Sequence, residues 1–101
     1  MTIDATTINS IIYVLRCKKK IVGFVAGVID LDNNGNVEDV YLDEEYRNKG
    51  LGKDLFQKLL DWFKLHSVKA IDVHISKGNE KVLEFYRMFG FQETGHTMKL
   101  M

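Results

Sequence analysis

At residue 50 the apolar residues of this chain change period. From Asn36 to Leu42 they read as a strand. Beyond Gly50, Leu51, Leu55, Leu59, Trp62 and Phe63 recur at helical spacing, with Lys53, Asp54, Gln57, Lys58, Asp61 and Lys64 on the opposite face. Between the two lies Arg47-Asn48-Lys49-Gly50-Leu51-Gly52-Lys53. A strand that passes through a glycine turn into a helix leaves the first backbone N–H groups of that helix without partners and aims them at one spot. With the positive end of the helix dipole behind them, they suit a phosphate or pyrophosphate.

The flanking segments supply the sheet. Residues 11–17 and 21–30 are β-branched and aromatic-rich and read as strands, with Lys18, Lys19 and Lys20 as a solvated turn between them. In Asp32-Asn33-Asn34-Gly35, Asn-Gly is a strong hairpin signal, because both residues accept positive φ. The strand Asn36 to Leu42 follows, so the first three strands form an antiparallel meander. Residues 70–75 alternate, with Ile71, Val73 and Ile75 on one face, and the helical crossover makes this fourth strand parallel to the third. Asn79 reads as the N-cap of a second helix carrying Val82, Phe85, Tyr86 and Phe89; Gly90 ends it and Phe91 folds back onto it. Residues 91–100 form a terminal strand or hairpin. The order β-β-β-α-β-α-β predicts an α+β sandwich with a mixed, mostly antiparallel sheet.

A chain of 101 residues fits one domain, 1–101, with residues 1–9 a poorly defined N-terminal stub. Fourteen basic and 14 acidic side chains cancel, which argues against a nucleic-acid partner. Cys17 is the one cysteine, so no internal disulfide forms, and no Cys/His spacing suggests a metal. Cys17 reads as a small buried hydrophobe. Residues 1–9 lack the features of a signal peptide and no apolar run is long enough to cross a membrane, so a cytoplasmic protein is expected.

Two nucleotide motifs fail at the glycine turn. A Walker-type loop needs a glycine where Arg47 stands and a hydroxyl residue where Asp54 stands. A dinucleotide fingerprint needs a third glycine where Leu55 stands. An ordinary strand-to-helix loop remains open on spacing alone. The whole stretch from Val37 to Lys53, however, closely resembles the GNAT superfamily of acetyl-coenzyme-A-dependent N-acetyltransferases. Arg47, Gly50 and Gly52 match the fixed positions of its signature, and a second block follows at the right distance in Asn79, Phe85-Tyr86 and Gly90-Phe91. The resemblance spans roughly residues 10–100.

That resemblance implies acetyl-CoA as the acetyl donor. The backbone N–H groups of Asn48, Lys49, Gly50, Leu51, Gly52 and Lys53 would cradle its pyrophosphate, with charge from Arg47 and Lys53 nearby. The backbone of Val40, Tyr41 and Leu42 would pair with the pantetheine arm like an added strand, where the third and fourth strands splay apart. Asn79 would bond the arm from the other side, a role compatible with helix capping. Tyr86 would be the general acid that protonates the departing thiolate.

The acceptor amine must lose a proton, since an amine with a pKa near 10.4 is almost fully charged at neutral pH. Glu38 is the candidate base, acting through water from the strand before the turn. Polyamine acetyltransferases of the superfamily show a similar Glu-Asp there. Simple alternation puts Glu38 and Asp39 on opposite faces, so at most one faces the cleft. His74 borders the cleft without a catalytic part, and His66 and His96 fall at exposed element ends.

A typical domain of the superfamily begins with a further strand and one or two helices that wall the acceptor site. Only about ten residues precede the first strong strand here. That strand is expected to be an exposed edge, and a homodimer is expected to cover it and supply the missing wall. The expected activity is acetyl transfer to a primary amine on a polyamine, an amino acid or a protein. The alternative is a non-catalytic acyl-CoA-binding or regulatory module that has lost its acceptor site.

Overall fold

The computed structural model describes residues 2–6, 9–47, 49–74, 83–94 and 97–100. Asn48 and Asn79 lie outside the described residues, as do Ile75, Val82 and His96. Strands β1 (Thr2–Thr6), β2 (Ser10–Cys17), β3 (Lys20–Ile29) and β4 (Gly35–Leu42) lead through a single 3-10 turn (Glu44–Tyr46) into α1 (Leu51–Leu65). Then come β5 (Ile71–His74), α2 (Leu83–Arg87), β6 (Gln92–Thr94) and β7 (Thr97–Leu100). They form one seven-stranded sheet in the order β1-β2-β3-β4-β5-β7-β6. The β4–β5 pair is parallel and the other pairs are antiparallel. The α+β architecture is the one expected.

The first departure is at the N-terminus. Thr2–Thr6 is a strand paired with β2 from Thr2↔Val14 to Thr6↔Ile11. The segment expected to be a stub therefore covers the edge that was expected to lie open at residues 11–17. The unpaired edge passes to β1.

Both helices lie on one face of the sheet. Of the five apolar positions first noted, α1 buries Leu55, Leu59, Trp62 and Phe63, with Phe56 and Leu60 beside them, while Leu51 is only half-buried. Phe56 is the hub: its ring meets those of Phe85, Tyr86, Phe89 and Phe91 at centroid distances of 5.4, 5.5, 4.9 and 6.0 Å, which ties α2 and the chain after it to α1. Burial of such a side chain contributes about 3 kcal/mol. The C-terminus of α2 closes as anticipated, with Gly90 at φ 95° and Phe91 N–H donating to Tyr86 C=O at 3.3 Å.

The loop between β3 and β4 differs from the Asn-Gly turn foreseen. Asn33, at φ 64°, takes the left-handed position, while Gly35 is already in β4. Asp30 organises the loop, accepting the backbone N–H groups of Asp32 and Asn34 at 2.9 and 3.0 Å and the Asn36 amide at 3.0 Å. Gly35 serves packing instead. A Cβ there would stand 2.7 Å from the Phe63 ring, and one on Gly27 would stand equally close to Phe63 and Leu59.

Candidate functional site

Among the described residues, β4 and β5 are paired in parallel at Gly35↔Ile71, Asn36↔Asp72 and Val37↔Val73. Beyond Val37, β4 runs on to Leu42 with no partner on that side among the described residues. On its other side β4 stays paired with β3, but the register jumps: Gly27 faces Val37 and Ala26 faces Asp39. Glu38 is the extra residue of a β-bulge, which bends the strand just past Val37.

The bulge changes how the candidate base is placed. Strict alternation no longer decides between Glu38 and Asp39, because one residue has been inserted into the pleat. Asp39 stands opposite Ala26, on the face away from the helices, while Glu38 is exposed next to the last described β4–β5 pair. His74 is exposed one residue beyond Val73.

Further along β4, Val40 and Tyr41 are 36% and 45% exposed, and the Tyr41 ring lies on Phe24 at 5.7 Å. The carbonyl of Leu42 is already engaged: Arg47 Nε donates to it at 2.9 Å. Arg47 therefore ties the turn to the end of β4, a positional part that its charge alone did not announce.

At the turn itself, Gly50 is the N-cap of α1 with φ 79°, and no side chain caps the helix. The first intrahelical bond runs from Asp54 N–H to Gly50 C=O, so the N–H groups of Leu51, Gly52 and Lys53 have no acceptor in the helix. Among the described residues, a Cβ on Gly50 would meet nothing within 4 Å, and one on Gly52 would meet only Leu42 Cδ2 at 3.5 Å and Phe85 Cε1 at 4.0 Å. Gly50 is required by its backbone angle. Gly52 is not required by its described neighbours. Lys53 is exposed, and Lys49 lies over the Tyr46 ring, 5.7 Å from its centroid.

Two residues that sequence reasoning passed over, Asp43 and Tyr46, are built into this site, and Phe85 of the second family block joins them. Asp43 accepts the Tyr41 hydroxyl at 2.5 Å and lies 3.6 Å from Lys20 Nζ, and its N–H bonds Val22 C=O at 2.7 Å. Tyr46 meets the Cys17 thiol, whose hydrogen bond and burial push its hydroxyl up to about 12. Cys17 is thus half-buried against a tyrosine and not a plain core hydrophobe. Phe85 brings α2 against the turn at Gly52. The Tyr41-x-Asp43 spacing was the one signal that could have drawn attention to Asp43; the other contacts are long-range.

Tyr86 sits beside Phe85, 6% exposed, with its ring on Phe56, Phe85 and Phe91. Burial raises the pKa of its phenol, so it stays protonated through neutral pH. No group of His, Cys, Asp and Glu capable of holding a metal occurs among the described residues, and no described helix is long and apolar enough to cross a membrane.

The model of the acetyltransferase (GNAT) family matches residues 4–91. The chain belongs to this family. Among curated GNAT relatives, a spermine/spermidine N(1)-acetyltransferase of Bacillus subtilis is 37% identical over 70 residues, covering 65% of this chain and 46% of that protein. An uncharacterized N-acetyltransferase of Methanocaldococcus jannaschii is 25% identical, covering 80% of this chain and 38% of its own. The chain thus spans less than half the length of these relatives. Among solved structures, a Bacillus anthracis protein assigned as a streptothricin acetyltransferase, in complex with acetyl coenzyme A, is 29% identical with a TM-score of 0.79 over 88% of this chain and 51% of that one. The ribosomal-protein-S18-alanine N-acetyltransferase of Escherichia coli, at 19% identity, shares the fold with a TM-score of 0.80 over 94% of this chain and 70% of its own.

Proposed function

We propose that this GNAT domain transfers an acetyl group from acetyl-CoA to a primary amine. One feature carries the proposal: β4, with no described partner on its β5 side beyond Val37, leads through the turn into a helix whose first N–H groups are uncapped. The family resemblance implies that β4 and β5 part into a V there. An extended arm ending in a pyrophosphate fits that arrangement. The free edge of β4 at Val40 and Tyr41 would pair with the arm, and the N–H groups of Leu51, Gly52 and Lys53 would meet the phosphates. Asn48, Lys49 and Gly50 belong to the same cradle, and Asn79 would bond the arm from the other side. Arg47 holds the cradle to Leu42. Acetyl-CoA, when bound, supplies an activated acetyl thioester.

Glu38, acting through water at the apex of the V, takes the proton from the incoming ammonium. Tyr86, kept protonated by burial, gives its proton to the leaving sulfur. General acid–base help of this kind is typically worth about 10²–10⁴-fold. The acceptor class is a polyamine, an amino acid or a protein amine. Support for a polyamine comes from the Bacillus subtilis spermine/spermidine relative. The sheet face away from the helices carries Phe24, Ala26 and Tyr41 with no described helix on it. A homodimer is the proposed source of the acceptor wall on that face; covering the edge of β2 is no longer a reason for it, since β1 does so.

Release of free thiol from acetyl-CoA, measured with spermidine, lysine and a lysine peptide, tests the activity. Amine-dependent release is expected. Coenzyme binding without amine-dependent release from any acceptor would instead establish a non-catalytic acyl-CoA-binding module. Light scattering at high concentration tests the dimer, and a monomer there would refute it.

A further inference from the structure

A second cavity lies on the helix-covered face, at the end of the molecule away from the anion turn. Its volume is about 510 Å³, within the roughly 300–1,000 Å³ usual for small-molecule sites. Leu60 and Ile71, each 7% exposed, form the floor, with Phe89 and Leu100 as walls and Lys64 and Lys69 at the rim. Ile71 is paired with Gly35, so the cavity sits behind the closed part of the β4–β5 pair. Gln57 and Lys64, which line it, stand about 10 and 20 Å along the helix axis from Gly50.

The chemistry of this cavity is one-sided. Both lysines are exposed, and Lys64 makes no ion pair among the described residues. Asp61 accepts the Gln57 amide at 2.9 Å, and Asp30, which accepts from its own loop and from Asn36, lies within electrostatic reach of Lys69, so Lys64 is the rim's uncompensated charge. The lining is mostly apolar, with Gln57 as a polar member, and the thioether of Met88, 63% exposed, can move to fit a chain.

We propose that this groove is a binding site for an aliphatic carboxylate of medium length. The chain lies between Leu60 and Phe89, and the carboxylate meets Lys64 and Lys69. Positive charge at the rim sets the sign of the head group, and the buried floor selects an apolar body over a hydrophilic anion.

Octanoate is the probe, titrated by calorimetry into the intact protein with and without saturating coenzyme A. Saturable binding unaffected by the coenzyme is expected, with octylamine failing to bind. Neutralising both rim charges in a Lys64→Gln/Lys69→Gln variant is expected to weaken octanoate roughly tenfold while leaving coenzyme affinity unchanged. Absent saturation, equal affinity in the variant, or equal binding of octylamine overturns the proposal. Displacement of octanoate by coenzyme A overturns it too, by placing the acid in the V. Coenzyme affinity is measured in the same titrations, so a failure of the V as a coenzyme site is seen separately.

Discussion

Arg47 Nε donates a hydrogen bond to the carbonyl oxygen of Leu42 at 2.9 Å, joining the turn before α1 to the last residue of β4. The bond spans the corner where an extended ligand would have to bend from the strand edge toward the helix start. It makes Arg47 a positioning residue as well as a charge.

Substitution by lysine separates those two parts. Lys keeps the charge but lacks the planar fork that reaches a backbone carbonyl from this position. Arg47→Lys and Arg47→Met are both expected to weaken acetyl-CoA binding, by about 1 kcal/mol or roughly fivefold. Full rescue by lysine, seen by calorimetry, would mean that charge alone matters.

The two glycines of the turn should fail differently. Gly50→Ala forces a side chain into φ 79° and is expected to cost about 1–2 kcal/mol of folding stability. Gly52→Ala meets only ordinary contacts at 3.5 and 4.0 Å within the protein. Its melting temperature should stay put while coenzyme affinity falls, because the added methyl occupies ligand space. Equal coenzyme affinity in Gly52→Ala would show that the phosphates lie elsewhere.

Tyr86→Phe is expected to cut turnover by about 10²–10⁴-fold with little change in acetyl-CoA affinity. Turnover equal to that of the unaltered protein would remove Tyr86 from the mechanism. The pH dependence carries its own sign. Desolvation raises the Tyr86 pKa above 10.0, so the acid is intact through neutral pH and its loss shapes only the alkaline limb of the rate profile.

Alkaline stability follows the same linkage. The pKa values of Tyr13, Tyr41, Tyr46 and Tyr86 are all raised, Tyr46 to about 12. A phenol whose folded pKa exceeds its unfolded one leaves stability untouched below about pH 10 and withdraws it as pH climbs toward the folded value. Urea midpoints should therefore hold constant up to about pH 10 and then decline. Tyr46→Phe should show a shallower decline.

Gly35→Ala is expected to destabilise by about 1–3 kcal/mol, since the Phe63 ring would have to give way to a methyl group at 2.7 Å. A neutral result in a urea titration would show that the ring has room to turn.

Gly35 also shows where sequence reasoning reaches its limit. Asn34-Gly35 has the composition of a turn, yet Asn33 takes the left-handed angle and Gly35 answers to a ring some thirty residues later. Local period located β2 to β5 and α1, because Leu55, Leu59 and Phe63 share one buried stripe whatever they touch. The same logic placed Gly50 and Gly90, which are governed by their own backbone angles. It missed β1, whose strand character comes from the edge of β2 and not from an apolar pattern of its own. It also missed the bulge at Glu38, a property of how β4 meets β3. Of the candidate site, the turn was therefore legible, while the tether from Arg47 and the thiol contact of Tyr46 depend on strands brought together only by folding.

A sheet usually leaves its hydrogen-bonding groups open only at its margins. In this one, β4 also has no described partner on its β5 side beyond Val37, inside the sheet. A molecule seated along that side of β4 would act as an added rung. Such a ligand, free at one hundred times its dissociation constant, would add about 2.7 kcal/mol to the folded state. The metabolite supply would then govern how long the chain survives as well as how fast it turns over, and starvation for the coenzyme would register first as a loss of protein.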